Sequence, residues 1–223
     1  MQFFLDGSDI EKIKKFSDLG LIDGVTTNPS IILKSGKNMI EVISELASIV
    51  SGSISAEVSA LDSEKMVEEG IKLSQIAENV TVKLPITWDG LEACNSLSQK
   101  GISVNMTLCF SASQALLAAK SGAEYVSPFI GRLDDLNLDG ADLISDIKLI
   151  YSNYNFSTKV LAASIRTINH VKQCALLGAD VATIPIDIFE KLVKHPLTDS
   201  GLSQFTADWE KTGQSILLSL IHI

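Results

Sequence analysis

The segment 80–85 has the composition of a short buried strand that carries one lysine, Lys83. Side chains alternate between the two faces of a strand, so Lys83 lies opposite Val82 and Leu84. An ammonium group that faces the middle of a sheet is costly to desolvate, and loss of its proton removes that cost. The neutral amine is a nucleophile for a carbonyl carbon. The same pattern also fits a lysine whose charged end reaches solvent.

Other predicted strands carry polar side chains on one face, near their carboxyl ends. Asp6 ends the first strand and Glu57 ends the third. Further residues on such faces are Thr26, Asn28, Asn105, Thr107, Ser127, Phe129, Ser164 and Arg166. The opposite faces are mostly apolar, a pattern that an antiparallel sheet with one solvated face also shows. Helical segments between all the strands exclude that sheet, so we expect these side chains to surround one cavity.

Two arginines indicate an anionic substrate. Arg132 and Arg166 follow the sixth and seventh predicted strands, where a parallel barrel commonly binds phosphate. Arg132 could instead form a surface ion pair with Asp134 or Asp135.

The acids and the lysine together indicate carbonyl chemistry. Burial and nearby guanidinium groups both disfavour the protonated form of Lys83. Asp6 and Glu57 supply carboxylates for proton transfer, although either could be a structural partner of Lys83. An amine, two acids and a phosphate clamp suit Schiff-base chemistry on a ketose phosphate.

Strand-like and helical stretches alternate along the whole chain. The predicted strands are 3–6, 24–28, 53–58, 80–85, 103–108, 125–130, 159–165 and 181–185. The first helix is predicted to start at Ser8, with Glu11 completing a capping box. A helix over about 188–194 and a last helix from about Ser200, which carries Phe205 and Trp209, are also predicted.

This alternation predicts an α/β fold with a parallel sheet. At 223 residues, a single closed (β/α)8 TIM barrel is the natural arrangement. An open doubly wound sheet is the alternative, but the first strand is followed by residues 6–9, which lack a glycine-rich phosphate loop. No linker is evident, so residues 1–223 are predicted to form one domain, with 200–223 as a C-terminal helix and tail.

Composition narrows the class of protein. The net charge of −9 argues against binding to nucleic acid or an anionic membrane. Three cysteines and three histidines are scattered, which fits no disulfide or metal site. The start of the chain lacks a signal peptide, and the apolar stretch 216–223 is too short to span a membrane. We therefore expect a cytoplasmic protein.

Four segments resemble signature sequences of the transaldolase family, and in particular its short subfamily, which includes the fructose-6-phosphate aldolases. They are residues 24–32, 80–91, 127–135 and 162–166. The likeness extends from Phe3 to about Lys211, whereas 212–223 has no clear counterpart. It implies a barrel enzyme that moves a dihydroxyacetone unit between sugar phosphates.

The resemblance also implies residue roles. Lys83 forms an imine with the ketose, Asp6 takes the proton of the C4 hydroxyl, and Glu57 and Thr107 hold a proton-shuttling water. The residues expected to bind substrate are Asn28 and Asn105 at the hydroxyls of the dihydroxyacetone unit, Arg132, Ser164 and Arg166 at the phosphate, and Thr26, Ser127 and Phe129 along the donor pocket. The iminium serves as the electron sink, so no metal or organic cofactor is required.

Two positions separate the activities within the family. The aldolase branch tends to have Gln in place of Glu57 and Tyr in place of Phe129, so this chain resembles a transaldolase. The implied donors are sedoheptulose 7-phosphate and fructose 6-phosphate, and the acceptors glyceraldehyde 3-phosphate and erythrose 4-phosphate, in the non-oxidative pentose phosphate pathway. A fructose-6-phosphate aldolase that releases free dihydroxyacetone is the alternative. Gly7-Ser8 stands where most relatives have Thr-Ala, next to Asp6.

Other classes of function stay open at this point. A sugar-phosphate-binding regulator on the same barrel would bind ligand without forming an imine, and a metal-dependent aldolase is disfavoured by the histidine count. Members of the short subfamily form rings and stacked rings, so the resemblance implies a homo-oligomer, a pentamer or decamer. The final helix either packs on its own barrel or reaches a neighbouring subunit.

Overall fold

The computed structural model describes residues 1–217. These residues belong to two compact units, Met1–Phe189 and a second that begins at Glu190. The assignment of the whole chain to one domain therefore stays a prediction. Residues 218–223, which include His222 and most of the predicted tail, lie outside the described part.

The first unit is a closed barrel of parallel strands. The strands are β1 (Gln2–Asp6), β2 (Gly24–Thr26), β3 (Ser53–Glu57), β4 (Val80–Pro85), β5 (Val104–Cys109), β6 (Tyr125–Pro128), β7 (Lys159–Ala162) and β8 (Val181–Pro185). Each strand pairs with its neighbour in sequence, and β8 pairs with β1 to close the sheet. The predicted (β/α)8 barrel is confirmed, and the open doubly wound sheet is wrong.

Helices follow the strands around the barrel. In this unit they are α1 (Ile10–Asp18), α2 (Pro29–Ser35), α3 (Met39–Ile49), α4 (Ser63–Ser74), α5 (Trp88–Ser98), α6 (Ala112–Lys120), α7 (Ile130–Asp134), α8 (Gly140–Tyr154), α9 (Ile168–Leu176) and α10 (Ile186–Phe189). None of the helices within residues 1–217 combines the length and apolar character needed to cross a bilayer.

Several strands end earlier than predicted, and each early end has a local cause. Asn28 leaves the sheet to cap α2, where its Oδ1 accepts the backbone N–H of Ile31 at 3.0 Å. β6 ends at Pro128 because the next residue, Phe129, is the N-cap of α7. Ser164 has a φ of +60°, which is incompatible with extended backbone and ends β7.

Two predicted helices also differ from the structure. Asp9, not Ser8, caps α1, because its Oδ1 accepts the backbone N–H of Lys12 at 3.2 Å. The helix predicted over 188–194 is replaced by the shorter α10, which ends at Phe189. Phe189 is buried edge-on against Phe3 and Phe16, whereas Val193, in the rest of the predicted helix, is 80 % exposed.

The interior of the barrel has an apolar floor. Phe4 packs there against Tyr125, with ring centroids 6.0 Å apart, beside Leu161 and Val181. A methyl group on Gly24 would overlap the Phe4 ring, so glycine is required at this close approach. The strand faces turned outward are buried under the helices. Polar side chains meet at the carboxyl ends of the strands, and also near the amino ends of β3 and β4, where the Ser53 and Thr81 hydroxyls lie 2.7 Å apart.

The second unit contains α11 (Pro196–Thr212). It begins four residues before the predicted start at Ser200, because His195 caps it and Pro196 suits the first helical position. Large apolar side chains along it are exposed, and Phe205 is 73 % exposed. These exposed side chains are Leu197, Leu202, Phe205 and Trp209.

Candidate active site

A cavity of about 140 Å³ opens at the carboxyl ends of the strands. Its lining residues are Asp6, Thr26, Asn28, Lys83, Ser127, Phe129, Arg132, Ala163, Ser164 and Thr183. Most of the residues predicted from sequence therefore share this cavity. Glu57, Asn105, Thr107 and Arg166 do not line it, although Glu57 contacts Lys83 and Asn105 contacts Ser127, both of which do. The chemical roles assigned to all of these residues stay predictions.

Lys83 is held inside the barrel by the two strands that precede β4. Its Nζ lies 2.9 Å from Oε2 of Glu57 and donates to the Thr27 carbonyl oxygen at 3.1 Å. Glu57 is the register partner of Lys83 in the β3–β4 ladder, so the sheet itself sets this pairing. Lys83 is 5 % exposed, which excludes a charged end in solvent. Its direct charged partner is the Glu57 carboxylate, which is the structural pairing that the sequence left open for this acid.

Asp6 lies in the same cavity at the end of β1. Its Oδ1 accepts the Thr26 hydroxyl at 2.8 Å. Burial raises the pKa of Asp6, while the Thr26 hydrogen bond and the positive charge of Lys83 act against that rise and the Glu57 charge adds to it. A carboxylate with a raised pKa is a stronger base than an aspartate in water, which suits it to accept a proton.

A buried hydrogen-bonded row lies beneath the cavity. Asn105 donates from Nδ2 to the Ser55 hydroxyl at 3.2 Å and accepts the Ser127 hydroxyl at 2.8 Å. Asn105 is fully buried, so it fixes Ser127 from below. The Thr107 hydroxyl is also buried. Among the side-chain polar atoms of residues 1–217, it alone is buried without a hydrogen-bond partner. A buried hydroxyl of this kind is suited to bind a water or a substrate group.

The two arginines occupy different environments. The guanidinium of Arg132 lies over the Phe129 ring, 4.9 Å from its centroid, and lines the cavity. Arg166 forms a bidentate ion pair with Asp135, in which Nη2 lies 2.6 Å from Oδ2 and Nη1 bonds Oδ1. The Arg166 hydrogen bond lowers the pKa of Asp135. The ion pair considered from sequence for Arg132 is thus made by Arg166.

The backbone around Ser164 brings α7 against the end of β7. Gly131 packs on the Ser164 carbonyl oxygen, and any side chain there would overlap that oxygen. Ser164 itself has a left-handed backbone, which is strained for a residue other than glycine. Such strain is typical of functional sites, and here it accompanies a serine that lines the cavity.

Thr183 and Ala163 line the cavity but were missed from sequence. The signal for Thr183 was available, since it alternates with the apolar residues of β8 as Lys83 does in β4. Thr183 is the single polar residue of β8, whereas each hydroxyl residue predicted from sequence accompanied a charged, amide or aromatic residue on the same strand.

Other nucleophiles are poorly suited to compete with Lys83. Cys94, Cys109 and Cys174 are buried free thiols. Burial raises the pKa of each to about 11, so their reactive thiolate forms are scarce at neutral pH. Within the part of the chain that the structure describes, no three His, Cys, Asp or Glu side chains are grouped as a metal site.

The sequence of this chain is similar to those of known proteins over nearly its whole length. The family model described as transaldolase/fructose-6-phosphate aldolase matches residues 3–216. A probable transaldolase of Roseobacter denitrificans is 64 % identical over 217 residues, covering 97 % of this chain and 100 % of its own. Probable transaldolases of Dinoroseobacter shibae, 59 % identical over 217 residues, and of Parvibaculum lavamentivorans, 60 % identical over 218, each cover 97 % of this chain and 100 % of their own. The chain therefore belongs to the transaldolase/fructose-6-phosphate aldolase family, as its barrel and buried lysine lead one to expect.

Proposed function

We propose that this protein is a transaldolase that transfers a dihydroxyacetone unit between sugar phosphates through an imine on Lys83. The observation that carries the proposal is the buried Lys83 amine, 2.9 Å from the Glu57 carboxylate and in one cavity with Asp6. Family membership and relatives named probable transaldolase support the reaction class.

The first step requires a free amine. Glu57, whose Oε2 lies 2.9 Å from Nζ, is the proposed acceptor of the proton that Lys83 gives up. The amine nitrogen then forms a bond to the ketose C2 carbonyl carbon, and the carbonyl oxygen takes a proton to give a carbinolamine. The Glu57 carboxyl and the Thr107 hydroxyl are proposed to hold the water through which that oxygen is protonated again; it then leaves as water and the protonated imine, an iminium, is formed.

The second step breaks the C3–C4 bond. Asp6 accepts the proton of the C4 hydroxyl, the C4 oxygen forms a carbonyl, and the electrons of the C3–C4 bond move to the iminium nitrogen. The aldose phosphate leaves and the enamine stays on Lys83. In the return direction the enamine C3 attacks the aldehyde of the acceptor, Asp6 gives back its proton, and water then releases the new ketose phosphate.

Substrate recognition follows from the remaining lining residues. The Asn28 oxygen is engaged as a helix cap, which leaves its amide N–H groups for the substrate hydroxyls. Arg132 and Ser164 line the cavity and are proposed to bind phosphate. Arg166 is proposed to join them by exchanging Asp135 for the phosphate. On this basis the donors are sedoheptulose 7-phosphate and fructose 6-phosphate, and the acceptors glyceraldehyde 3-phosphate and erythrose 4-phosphate, as in the non-oxidative pentose phosphate pathway.

The fructose-6-phosphate aldolase alternative is less well supported. The group that contacts the Lys83 amine is an acid, Glu57, and the aromatic residue that lines the cavity, Phe129, has no hydroxyl. A phenol there would offer one more proton donor near the bound enamine. Protonation of the enamine leads to release of free dihydroxyacetone. The absence of a phenol hydroxyl at Phe129 therefore favours transfer to an acceptor.

We further propose a cytoplasmic homo-oligomer. The exposed apolar side chains of α11 in the second unit, Phe205 and Trp209 among them, suit a second copy of the chain. Sedimentation equilibrium is expected to give a mass of several chains for the full-length protein. A mass of one chain, about 24 kDa, at micromolar concentration would contradict this.

Reductive trapping tests the proposed reaction. Incubation with fructose 6-phosphate and borohydride is expected to add a reduced sugar unit to Lys83, located by peptide mass analysis. Lys83→Met should lose both the adduct and roughly 10³-fold or more of the transfer rate. Lys159→Met is the matched control, since Lys159 also lies on a strand but pairs with Glu124 outside the cavity. Ligand binding without inactivation by borohydride would favour a non-catalytic regulator.

Phe129→Tyr tests the choice between the two activities. The added hydroxyl is expected to raise fructose 6-phosphate cleavage relative to transfer by about 10-fold, near the value of one good hydrogen bond in a transition state. Coupled assays with and without erythrose 4-phosphate measure the ratio. Phe110→Tyr is the matched control, because Phe110 packs on Phe129 without lining the cavity. An unchanged ratio of cleavage to transfer in Phe129→Tyr would contradict a role of residue 129 in choosing between the two activities.

The arginines can be tested separately. Arg132→Ala is expected to raise KM for phosphorylated donors roughly 10- to 100-fold, the loss of one charge-assisted contact. Arg166→Ala should raise it less, since Arg166 must first leave Asp135. In both variants, KM for unphosphorylated fructose should change much less than KM for the phosphorylated donors. Equal losses with both kinds of donor would contradict a phosphate role.

A further inference from the structure

Thr183 has no part in the reaction as described so far, yet it is buried against the catalytic centre. It lies in β8, is 3 % exposed, and lines the cavity. Its Oγ1 is 2.5 Å from Oγ1 of Thr26, which in turn is 2.8 Å from Oδ1 of Asp6. Three neighbouring strands, β8, β1 and β2, therefore contribute one continuous row of two hydroxyls and a carboxyl group.

The number of available protons decides which group donates and which accepts in each hydrogen bond of this row. The Thr26 hydroxyl has one proton, and the ionised Asp6 carboxylate can only accept it. The contact between the two threonines then requires Thr183 to donate to Thr26. When Asp6 gains a proton, it becomes able to donate, and the row can reverse without moving any heavy atom. Both protonation states of Asp6 are thus matched by one arrangement of atoms.

We propose that Thr183 is a positioning residue for Asp6, which it serves by donating to Thr26 and so keeping the Thr26 proton directed at the carboxylate. The proposal rests on the proposed role of Asp6 as the base for the C4 hydroxyl. Without the Thr183 donor, the Thr26 hydroxyl is less strongly polarised, so its hydrogen bond to Asp6 weakens and the carboxylate loses part of the stabilisation that opposes its burial.

The charges and hydrogen bonds around Asp6 show in which direction its pKa should move when the Thr183 hydroxyl is removed. Burial raises the pKa of Asp6, whereas the Thr26 hydrogen bond and the charge of Lys83 oppose the rise and that of Glu57 adds to it. Weakening the Thr26 hydrogen bond lets the pKa of Asp6 rise further. Since only the carboxylate accepts the substrate proton, the acidic limb of kcat/KM must then move to higher pH.

The test is the pH profile of kcat/KM in Thr183→Val, a change that keeps the shape and removes the hydroxyl. The acidic limb is expected to move to higher pH, with about a 10-fold loss of rate on that limb and a smaller loss at higher pH. Thr183→Ser, which restores the donor, should return the limb toward that of the unmodified protein. Thr81→Val is the control, because Thr81 is an equally buried strand threonine whose hydroxyl bonds Ser53.

Two further comparisons of variants test whether Thr183 acts on Asp6 through Thr26. In a Thr26→Val background, Thr183→Val should move the limb no further, since the link to Asp6 is already cut. An unmoved limb in Thr183→Val, an equal loss at every pH, or an equal shift in the Thr26→Val background would each overturn the proposal. If Thr183→Val fails to fold, the same comparison is made between Thr183→Ser and Thr183→Ala.

Borohydride trapping separates this inference from the proposed function. Imine formation does not use Asp6, so Thr183→Val should still form the Lys83 adduct. Failure of the unmodified protein to form it would reject the proposed function itself. A normal adduct together with an unchanged pH profile would reject only the role of Thr183.

Discussion

The contact between the Lys83 amine and the Glu57 carboxylate, inside a closed sheet, is the constraint around which the rest of this barrel is arranged. A buried ion pair costs desolvation energy that its own attraction repays only when the geometry is good. Here the register of β3 against β4 places the two side chains side by side, and the Thr27 carbonyl takes a further amine proton. The sheet therefore holds the pair without help from mobile loops.

This constraint explains the layering of the interior. An apolar floor, which includes Phe4 and Tyr125, closes the barrel below the amine. Above it, several polar side chains are held by others, as Ser127 is by Asn105 and Asp6 is by Thr26, whereas the Thr107 hydroxyl has no protein partner. Groups fixed in this way need little reorganisation when charge moves during a reaction, which is the main electrostatic advantage of an enzyme site over water.

Much of the site could be predicted from sequence because strand alternation is a local property. Lys83, Asp6 and Glu57 each occupy the polar face of an otherwise apolar strand, and parallel strands bring those faces to one end. The resemblance to a family then supplied roles that the pattern could not. The end of β7 was missed because the left-handed backbone of Ser164 depends on the packing of α7 against it.

The pairing of side chains far apart in sequence could not be predicted in the same way. The sequence offered Asp134 or Asp135 as a partner for Arg132, and only the folded chain shows that Asp135 is bound by Arg166. Thr183 was missed because its importance comes from Thr26, which lies 157 residues away. Such contacts are set by the closure of the barrel, which joins the two ends of the unit and leaves no periodic signal in the sequence.

The proposed imine on Lys83 can be tested most directly by a crystal structure of the protein after brief exposure to fructose 6-phosphate and reduction. Unbroken electron density is expected from Nζ of Lys83 to C2 of the sugar, with Asp6 beside the C4 oxygen and the phosphate against Arg132. Sugar bound in the cavity with a clear gap to Nζ, or joined to a different lysine, would contradict it.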